Sequence, residues 1–167
     1  MTAVDDAIGR EAIADYGVIG EAPASSLEGL LRIAASVCRV EKAVVNIIDD
    51  RFQHQIAALG FDAAVCARED SMCAAVYLSG QQVVLPDARD DERFTDNPFV
   101  TGELGRVRFY ASSPLRTPDG VIIGTLCVFD DDVAELDAAQ RSTMDILAGQ
   151  VVDVLELRRA GRELRSS

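Results

Sequence analysis

A loop rich in carboxylates is the first stretch of the sequence whose residue types could do chemistry. Between residues 86 and 96 it carries five acidic side chains: Asp87, Asp90, Asp91, Glu92 and Asp96. A calcium loop of the EF-hand type requires oxygen ligands at alternate positions around a central glycine, and this stretch has neither. Arg89 and Arg93 stand among the acids and can neutralise them. The pattern therefore predicts no metal site.

The same loop is better interpreted as a structural lid. Asp90 or Asp91 can cap a short turn, and Phe94 is predicted to pack into the core. Asn97 and Pro98 favour a second turn, because asparagine can bond its own backbone and proline restricts φ. We therefore expect Phe94, Asn97 and Pro98 to matter more than the carboxylates.

Four cysteines are the next candidates for chemistry: Cys38, Cys66, Cys73 and Cys127. They form no CxxC pair, and the chain holds a single histidine, His54, so the spacing argues against a zinc site. Cys73 falls at the start of a predicted short helix, where a thiol pKa is depressed and anions bind. The alternative, which we favour, is that Cys73 is a small buried hydrophobe. No serine or cysteine triad can be assembled, so no catalytic residue is predicted.

Polar side chains within apolar strands indicate a binding pocket. Arg108, Tyr110 and Ser112 alternate along one predicted strand and therefore share a face. If they face the lid together with Asn46, they can bind a small anionic or hydrogen-bonding molecule. Equally, Tyr110 could be core and Arg108 could pair with the acidic loop. The predicted ligand-binding residues are Asn46, Met72, Cys73, Phe94, Arg108, Tyr110 and Ser112.

The charge balance excludes some partners. The chain has 28 acidic against 16 basic residues and a net charge of -12, which repels nucleic acid and anionic membranes. No segment approaches the ~18 uninterrupted apolar residues of a membrane helix, and no signal peptide opens the chain. We therefore predict a cytoplasmic protein whose cysteines are reduced.

Periodicity predicts the elements that must position these residues. Apolar residues from Leu27 to Cys38 recur at helical spacing, and Ser25 or Ser26 can cap that helix. A break at Gly17, Gly20 and Pro23 separates it from the first helix. Helices are predicted over residues 3–16, 25–38, 71–78 and about 135–164. Strands are predicted over residues 42–48, 52–59, 81–87, 106–115 and 121–130.

This element order predicts an α+β fold. Tight turns join the strand pairs, so the central sheet should be largely antiparallel. The terminal helices should cover one face, and the short helix with the lid loop should cover the other. A pocket is expected between sheet and lid. We predict a helical extension over residues 1–22, followed by one domain over residues 23–160.

An ordered set of motifs resembles the GAF domain, a small-molecule sensor family related to PAS. KAVVNIIDDRFQHQIAALG resembles its first hairpin, SMCAAV its middle helix, DARDDERFTDNPFVTG its lid loop and RFYASSPLRTPDGVIIGTLCVFD its last hairpin. The resemblance covers roughly residues 25 to 157. It implies a sensory and regulatory module of bacterial-type signal transduction rather than an enzyme.

The resemblance leaves the ligand unidentified. Cyclic-nucleotide-binding members carry an Asn-Lys-Phe-Asp-Glu motif, which is absent because Lys42 is the chain's only lysine. Bilin-binding members hold a cysteine–histidine pair, whereas His54 lies far from Cys73 in the sequence. One histidine cannot support both haem ligation and catalysis. The sequence therefore carries no haem, bilin or cyclic-nucleotide signature.

Two other functions stay open. Free methionine-(R)-sulfoxide reductases resemble GAF domains and use cysteines over the pocket, near which Cys66 and Cys73 are expected. That family also has a cysteine in the loop before the last hairpin, and this chain has none between Cys73 and Cys127. The other alternative is a ligand-free dimerisation module.

The predicted C-terminal helix carries an apolar stripe. Met144, Leu147, Val151 and Val154 follow a 4-3 rhythm, which Ile146, Leu155 and Leu157 widen. The resemblance implies a homodimer through the terminal helices and an attached or partner output domain of the kinase, cyclase or phosphatase type. Equally, the helix could serve only its own core.

Overall fold

The computed structural model describes residues 3–19 and 25–166. The predicted break at Gly20 and Pro23, and the predicted boundary between residues 22 and 23, lie outside these ranges. The described helices are α1 (Ala3–Tyr16), α2 (Ser25–Cys38), α3 (Pro98–Thr101) and α4 (Ala138–Ser166). The strands are β1 (Lys42–Ile48), β2 (Phe52–Leu59), β3 (Val65–Ala67), β4 (Val83–Leu85), β5 (Phe109–Arg116) and β6 (Ile122–Asp130).

The strands form one antiparallel sheet in the order β3-β2-β1-β6-β5-β4. Asp49 closes the β1–β2 hairpin, because its carboxylate accepts hydrogen bonds from the backbone N–H groups of Arg51 at 2.8 Å and Phe52 at 2.7 Å. Gly120 turns the β5–β6 hairpin with a φ of 86°, which favours glycine. Both predicted hairpins are therefore confirmed.

Each face of the sheet carries its own apolar core. On one face the core joins the sheet to α1, α2 and α4, and its buried side chains include Ile13, Leu27, Leu31, Leu126 and Val151. On the other face the core joins the sheet to residues 72–77 and the lid loop, residues 86–107. Its buried side chains include Met72, Tyr77, Phe94, Tyr110 and Cys127. The predicted α+β arrangement, with terminal helices on one face and the lid on the other, is confirmed.

Several elements differ from the sequence prediction; for example, the strand predicted over residues 81–87 is only Val83–Leu85, and the turn predicted at Asn97 and Pro98 is the short helix α3. The pattern does not predict β3, which is a three-residue edge strand. The helix predicted over residues 71–78 is instead a pair of 3-10 turns, Cys73–Ala75 and Tyr77–Ser79. α4 begins at Ala138 because Asp137 and Gln140 form a capping box, in which each side chain accepts the other's backbone N–H at 2.8 and 2.7 Å.

α4 buries one face and exposes another. Met144, Leu147, Val151 and Leu155 are buried against the sheet and α2, as the apolar stripe predicts. Ile146 and Leu157 are exposed. None of the helices in the described ranges has the length and apolar character to cross a membrane.

Candidate ligand-binding site

A cavity of about 320 Å³ lies between the sheet and the lid loop. We call its buried lining residues the floor: Val44, Asn46, Gln53, Met72, Cys73, Val107, Tyr110 and Cys127. The more exposed lining residues form the mouth, and they include Lys42, Phe61, Asp62, Cys66, Phe99, Arg106, Phe129 and Asp131. β1, β2, β5 and β6 thus supply one wall and the lid supplies the other.

A hydrogen-bond network centred on Cys73 builds the floor. The Tyr110 hydroxyl donates to the Cys73 Sγ at 2.9 Å, and the Asn46 Nδ2 donates to the same sulfur at 3.4 Å. The Asn46 Nδ2 also donates to the Thr125 Oγ1 at 3.2 Å. Two strands, β1 and β5, therefore present hydrogen-bond donors to one sulfur atom, and Thr125 of β6 accepts a bond from the same Asn46 amide.

This network changes the acidity of the floor residues. Burial opposes ionisation of the Cys73 thiol, but hydrogen bonds to its sulfur outweigh burial and lower its pKa; the partners are Cys127, Thr125, Tyr110 and Asn46. Burial raises the pKa of Tyr110 and that of Cys127 well above their ordinary values, and the neighbouring Cys73 raises both further. Cys73 is therefore the floor residue whose ionised form the fold favours.

Asn46 leaves one polar atom without a partner. Its Oδ1 is buried and has no hydrogen-bond partner among the described residues. Turning the amide over would only move the unpaired position to Nδ2, because Cys73 and Thr125 lie beside the other amide atom. An unsatisfied buried polar group costs about 1–3 kcal/mol. A ligand that paired with this amide would remove that cost.

Aromatic and charged side chains border the mouth. The rings of Phe61 and Phe129 meet edge to face with centroids 5.3 Å apart. The Lys42 Nζ lies 3.1 Å from the Asp131 carboxylate and 5.8 Å from the centroid of the Phe129 ring. The exposed Arg106 adds a guanidinium at the mouth, as a second basic group beside the Lys42 ammonium.

Phe94 and Asn97 hold the lid against the sheet. Phe94 is fully buried, and its ring centroid lies 6.0 Å from that of Tyr110. The Asn97 Oδ1 accepts the backbone N–H of Phe99 at 2.9 Å and so caps α3, while its Nδ2 donates to the Asp70 carbonyl at 3.0 Å. Phe94 packs in the core, as the sequence predicts.

The lid carboxylates are paired with arginines. Asp87 lies 2.7 Å from the Arg89 guanidinium, and Asp91 lies 2.7 Å from that of Arg93. Both carboxylates also accept a backbone N–H two residues further on, which makes them turn caps. Asp91 therefore caps a turn, as predicted. The other predicted candidate was Asp90, but the structure shows that Asp87 caps the second turn. Within the described ranges, no group of three or more metal-ligating side chains is arranged to hold a metal ion.

A model of the GAF domain family matches residues 23–155. The chain belongs to the GAF domain family. This is a family of signal-transduction sensor domains with a PAS-like fold, and it agrees with the sheet-and-lid architecture. The predicted resemblance is confirmed.

Relatives of this GAF domain belong to larger signalling proteins. A cyclic di-GMP phosphodiesterase of Pseudomonas aeruginosa is 37% identical over 140 residues; the match covers 81% of this chain and only 24% of the relative. The GAF domain of an Acinetobacter phosphoenolpyruvate-protein phosphotransferase has a TM-score of 0.68 at 15% identity, covering 98% and 99% of the two chains. A domain of a two-component sensor histidine kinase from Sinorhizobium meliloti 1021 has a TM-score of 0.68 at 16% identity, covering 86% and 96%.

The GAF cavity brings together four of the predicted ligand-binding residues. They are Asn46, Met72, Cys73 and Tyr110. Phe94 lies behind Tyr110, and Ser112 is buried in β5 opposite Cys127. Arg108 precedes β5, and its guanidinium donates to the lid carbonyls of Val100 at 2.9 Å and Val107 at 3.1 Å. The expectation that Arg108 faces the pocket with Tyr110 is wrong, because the lid backbone binds its side chain.

The sequence analysis did not predict that Cys127 lines the floor of the GAF cavity. Its position between Leu126 and Val128 indicates core, and it is indeed buried. However, Leu126 and Val128 pack towards the terminal helices, whereas Cys127 faces the lid. Strand alternation was the signal for this, and it also places Phe129 at the mouth. His54 bonds Asp49 at 2.7 Å and is not among the residues that line the cavity.

Proposed function

We propose that this chain is a sensory GAF domain that binds a small molecule between sheet and lid and thereby regulates an output domain or partner protein. The unpaired amide oxygen of Asn46, on the floor of a cavity of about 320 Å³, is the observation that carries this proposal. A cavity filled by side chains would favour a ligand-free dimerisation module. The open space and the unpaired amide support a sensor instead.

The proposed ligand is compact and largely apolar, with a hydrogen-bonding group at its inner end. Phe61, Phe99 and Phe129 offer apolar contacts near the mouth. Asn46 offers a hydrogen bond at the floor, and Arg106 can pair with an anionic group that points outwards. These features describe a chemical class and leave the compound to be found by experiment.

Ligand binding can reach the terminal helices through β6. Cys127 and Phe129 of this strand line the cavity, whereas Leu126 and Val128 pack in the core that includes α2 and α4. A ligand that prefers one arrangement of lid and sheet therefore shifts the population of helix arrangements.

The proposal includes the assembly and the output. We infer a homodimer through the terminal helices, acting on an output of the kinase, cyclase or phosphatase type. The similarity to a cyclic di-GMP phosphodiesterase supports an output that acts on that nucleotide. The four free cysteines support a reducing, cytoplasmic setting.

A thiol reductase is the second candidate function. The observation in its favour is that Cys66 and Cys73 both line the cavity. The lid loop brings no cysteine to them. A reductase should reduce free methionine-(R)-sulfoxide and lose that activity in Cys66→Ser and Cys73→Ser variants, whereas the proposed sensor should show no turnover.

A small-molecule screen tests the sensor proposal. A metabolite library is added to the protein, thermal unfolding is followed, and co-purified molecules are sought by native mass spectrometry. A ligand at about 100 times its Kd should stabilise the fold by about 2.7 kcal/mol and raise Tm by roughly 5–10 °C.

The variant Val44→Phe fills the floor of the cavity and should abolish the shift. Ile33→Phe, on the exposed face of α2, is the matched control and should retain it. The proposal is wrong if no compound raises Tm, or if the shift persists in folded Val44→Phe protein.

A further inference from the structure

Two cysteines with unlike surroundings meet on the cavity floor. Cys73 opens the 3-10 turn Cys73–Ala75, which packs against β6, and Cys127 lies on β6. Both side chains line the cavity and belong to the same buried cluster, and the Cys127 Sγ lies 3.7 Å from the Val128 carbonyl oxygen. The cavity therefore offers a small molecule a path to a pair of sulfur atoms.

Cys73 has the surroundings of a nucleophile. The Tyr110 hydroxyl at 2.9 Å and the Asn46 amide at 3.4 Å both donate to its sulfur. Such donors stabilise the thiolate, and the thiolate is the reactive form of cysteine. Despite complete burial, the pKa of Cys73 is lowered by the hydrogen bonds that Cys127, Thr125, Tyr110 and Asn46 provide.

The other thiols have the opposite character. Burial raises the pKa of Cys127 well above its ordinary value, so Cys127 is harder to ionise than Cys73. Burial raises the pKa of Cys66 to about 11, and that of Cys38, in the terminal-helix core, to about 11. The protein thus holds one thiol with a lowered pKa, Cys73, beside a thiol with a raised pKa, Cys127. The oxidation rates of Cys66 and Cys38 can be compared with that of Cys73 in the same molecule.

We propose that Cys73 and Cys127 form a hydroperoxide-reactive dithiol on the floor of the ligand cavity. The Cys73 thiolate attacks the terminal oxygen of a hydroperoxide, the O–O bond breaks, and the alcoholate that leaves takes a proton from water. Cys73 becomes a sulfenic acid. The Cys127 sulfur then attacks the Cys73 sulfur and forms a disulfide, while the Cys127 proton leaves with the displaced hydroxide as water. In sum, two thiols are oxidised and one hydroperoxide is reduced to an alcohol and water.

The disulfide would alter the site in a defined way. It would remove the sulfur acceptor to which Tyr110 and Asn46 donate, and it would tie the turn Cys73–Ala75 covalently to β6. Oxidation by peroxide and binding of a ligand would therefore change the same residues on the cavity floor. The chemistry itself does not require a ligand, so it can be tested whether or not the sensor proposal holds.

The test treats the reduced full chain with hydrogen peroxide or cumene hydroperoxide and maps the products by mass spectrometry. The wild-type protein should lose two hydrogen atoms and yield a cross-linked peptide pair containing Cys73 and Cys127. The variant Cys127→Ser should instead trap a sulfenic acid at Cys73, detected as a dimedone adduct. Cys38→Ala, in the other core, should oxidise as the wild type does.

A second variant tests the role of the donors. Tyr110→Phe keeps the ring but removes the hydroxyl donor, and it should slow the oxidation of Cys73 about tenfold, the effect of one hydrogen bond to a charged group. The relative rates of Cys73, Cys66 and Cys38 in the unaltered protein give a readout that needs no variant. Equal oxidation of all thiols, a disulfide that involves Cys66, or no oxidation of Cys73 would each overturn the proposal.

Discussion

The backbone position of Asn46 in β1 depends on a glycine in the neighbouring strand β6. β1 changes its register with β2 between Val45 and Asn46, and β6 runs along the other edge with Gly124 opposite Ile47. A Cβ atom placed on Gly124 would lie 1.8 Å from the backbone carbonyl oxygen of Asn46. The two backbones can approach this closely only because position 124 has no side chain.

Gly124→Ala should therefore destabilise the protein strongly. The clash is with backbone rather than with a flexible side chain, so we expect a loss of about 3 kcal/mol or more in the free energy of unfolding. Gly149→Ala is the matched control, because a Cβ on that α4 residue meets no atom within 4 Å. It should stabilise the helix by about 0.5–1 kcal/mol. Urea unfolding of both variants tests this, and equal effects would contradict it.

Phe94 is the residue by which the lid is anchored. Phe94→Ala should lower the free energy of unfolding by about 3–5 kcal/mol, because it leaves a void beside Tyr110. Asp90→Asn changes an exposed lid residue and should stay within about 0.5 kcal/mol of the wild type. Chemical denaturation measures both. A large effect of Asp90→Asn with a small one of Phe94→Ala would show that the carboxylates hold the lid.

At the scale of elements, the lid is held by local bonds at one end and by packing at the other. Asp87 and Asp91 each pair with the arginine two residues further on. The pKa of Asp87 is lowered chiefly by the hydrogen bond from Arg89, and that of Asp91 by the one from Arg93. These interactions exist only while the carboxylates are ionised, so acid should weaken this part of the lid.

The sign of the pH effect follows from linkage. A carboxylate whose pKa is lower in the folded state stabilises the fold above the ordinary aspartate pKa of about 3.9, and this contribution is lost as pH falls through the folded value. Thermal unfolding should therefore show a falling Tm between about pH 5 and pH 3. The double variant Asp87→Asn, Asp91→Asn should start lower at pH 7 and lose less Tm over that range. An identical loss in both proteins would exclude these pairs as its cause.

At the scale of the molecule, the outer face of α4 is unusual. Ile146, Leu157 and Leu164 are 62%, 73% and 76% exposed. At 3.6 residues per turn they lie within about 20° of one line along the helix. The face opposite this line packs on the sheet and α2, so α4 exposes three large apolar side chains on its outer face, where the exposed Asp153 lies between Ile146 and Leu157. These exposed apolar side chains, which we call the seam, support the proposed homodimer through terminal helices.

We expect a dimer in light scattering at micromolar concentration. The double variant Ile146→Glu, Leu157→Glu should be monomeric and still folded, because both side chains are exposed. Glu135→Gln, before α4, alters charge outside the seam and should remain dimeric. A wild-type monomer at high micromolar concentration would refute the dimer.

The sequence by itself determined the family and the two main hairpins. Turn residues such as Asp49 and Gly120 act between neighbours in the chain, so the hairpins could be predicted. The alternation of Leu126, Cys127 and Val128 separates two strand faces, but it does not say which face meets the lid. Only the tertiary structure decided that Tyr110 and Asn46 meet at Cys73 and that Arg108 turns to the lid backbone. These contacts join residues that are distant in sequence, and their geometry depends on how the whole lid packs on the sheet.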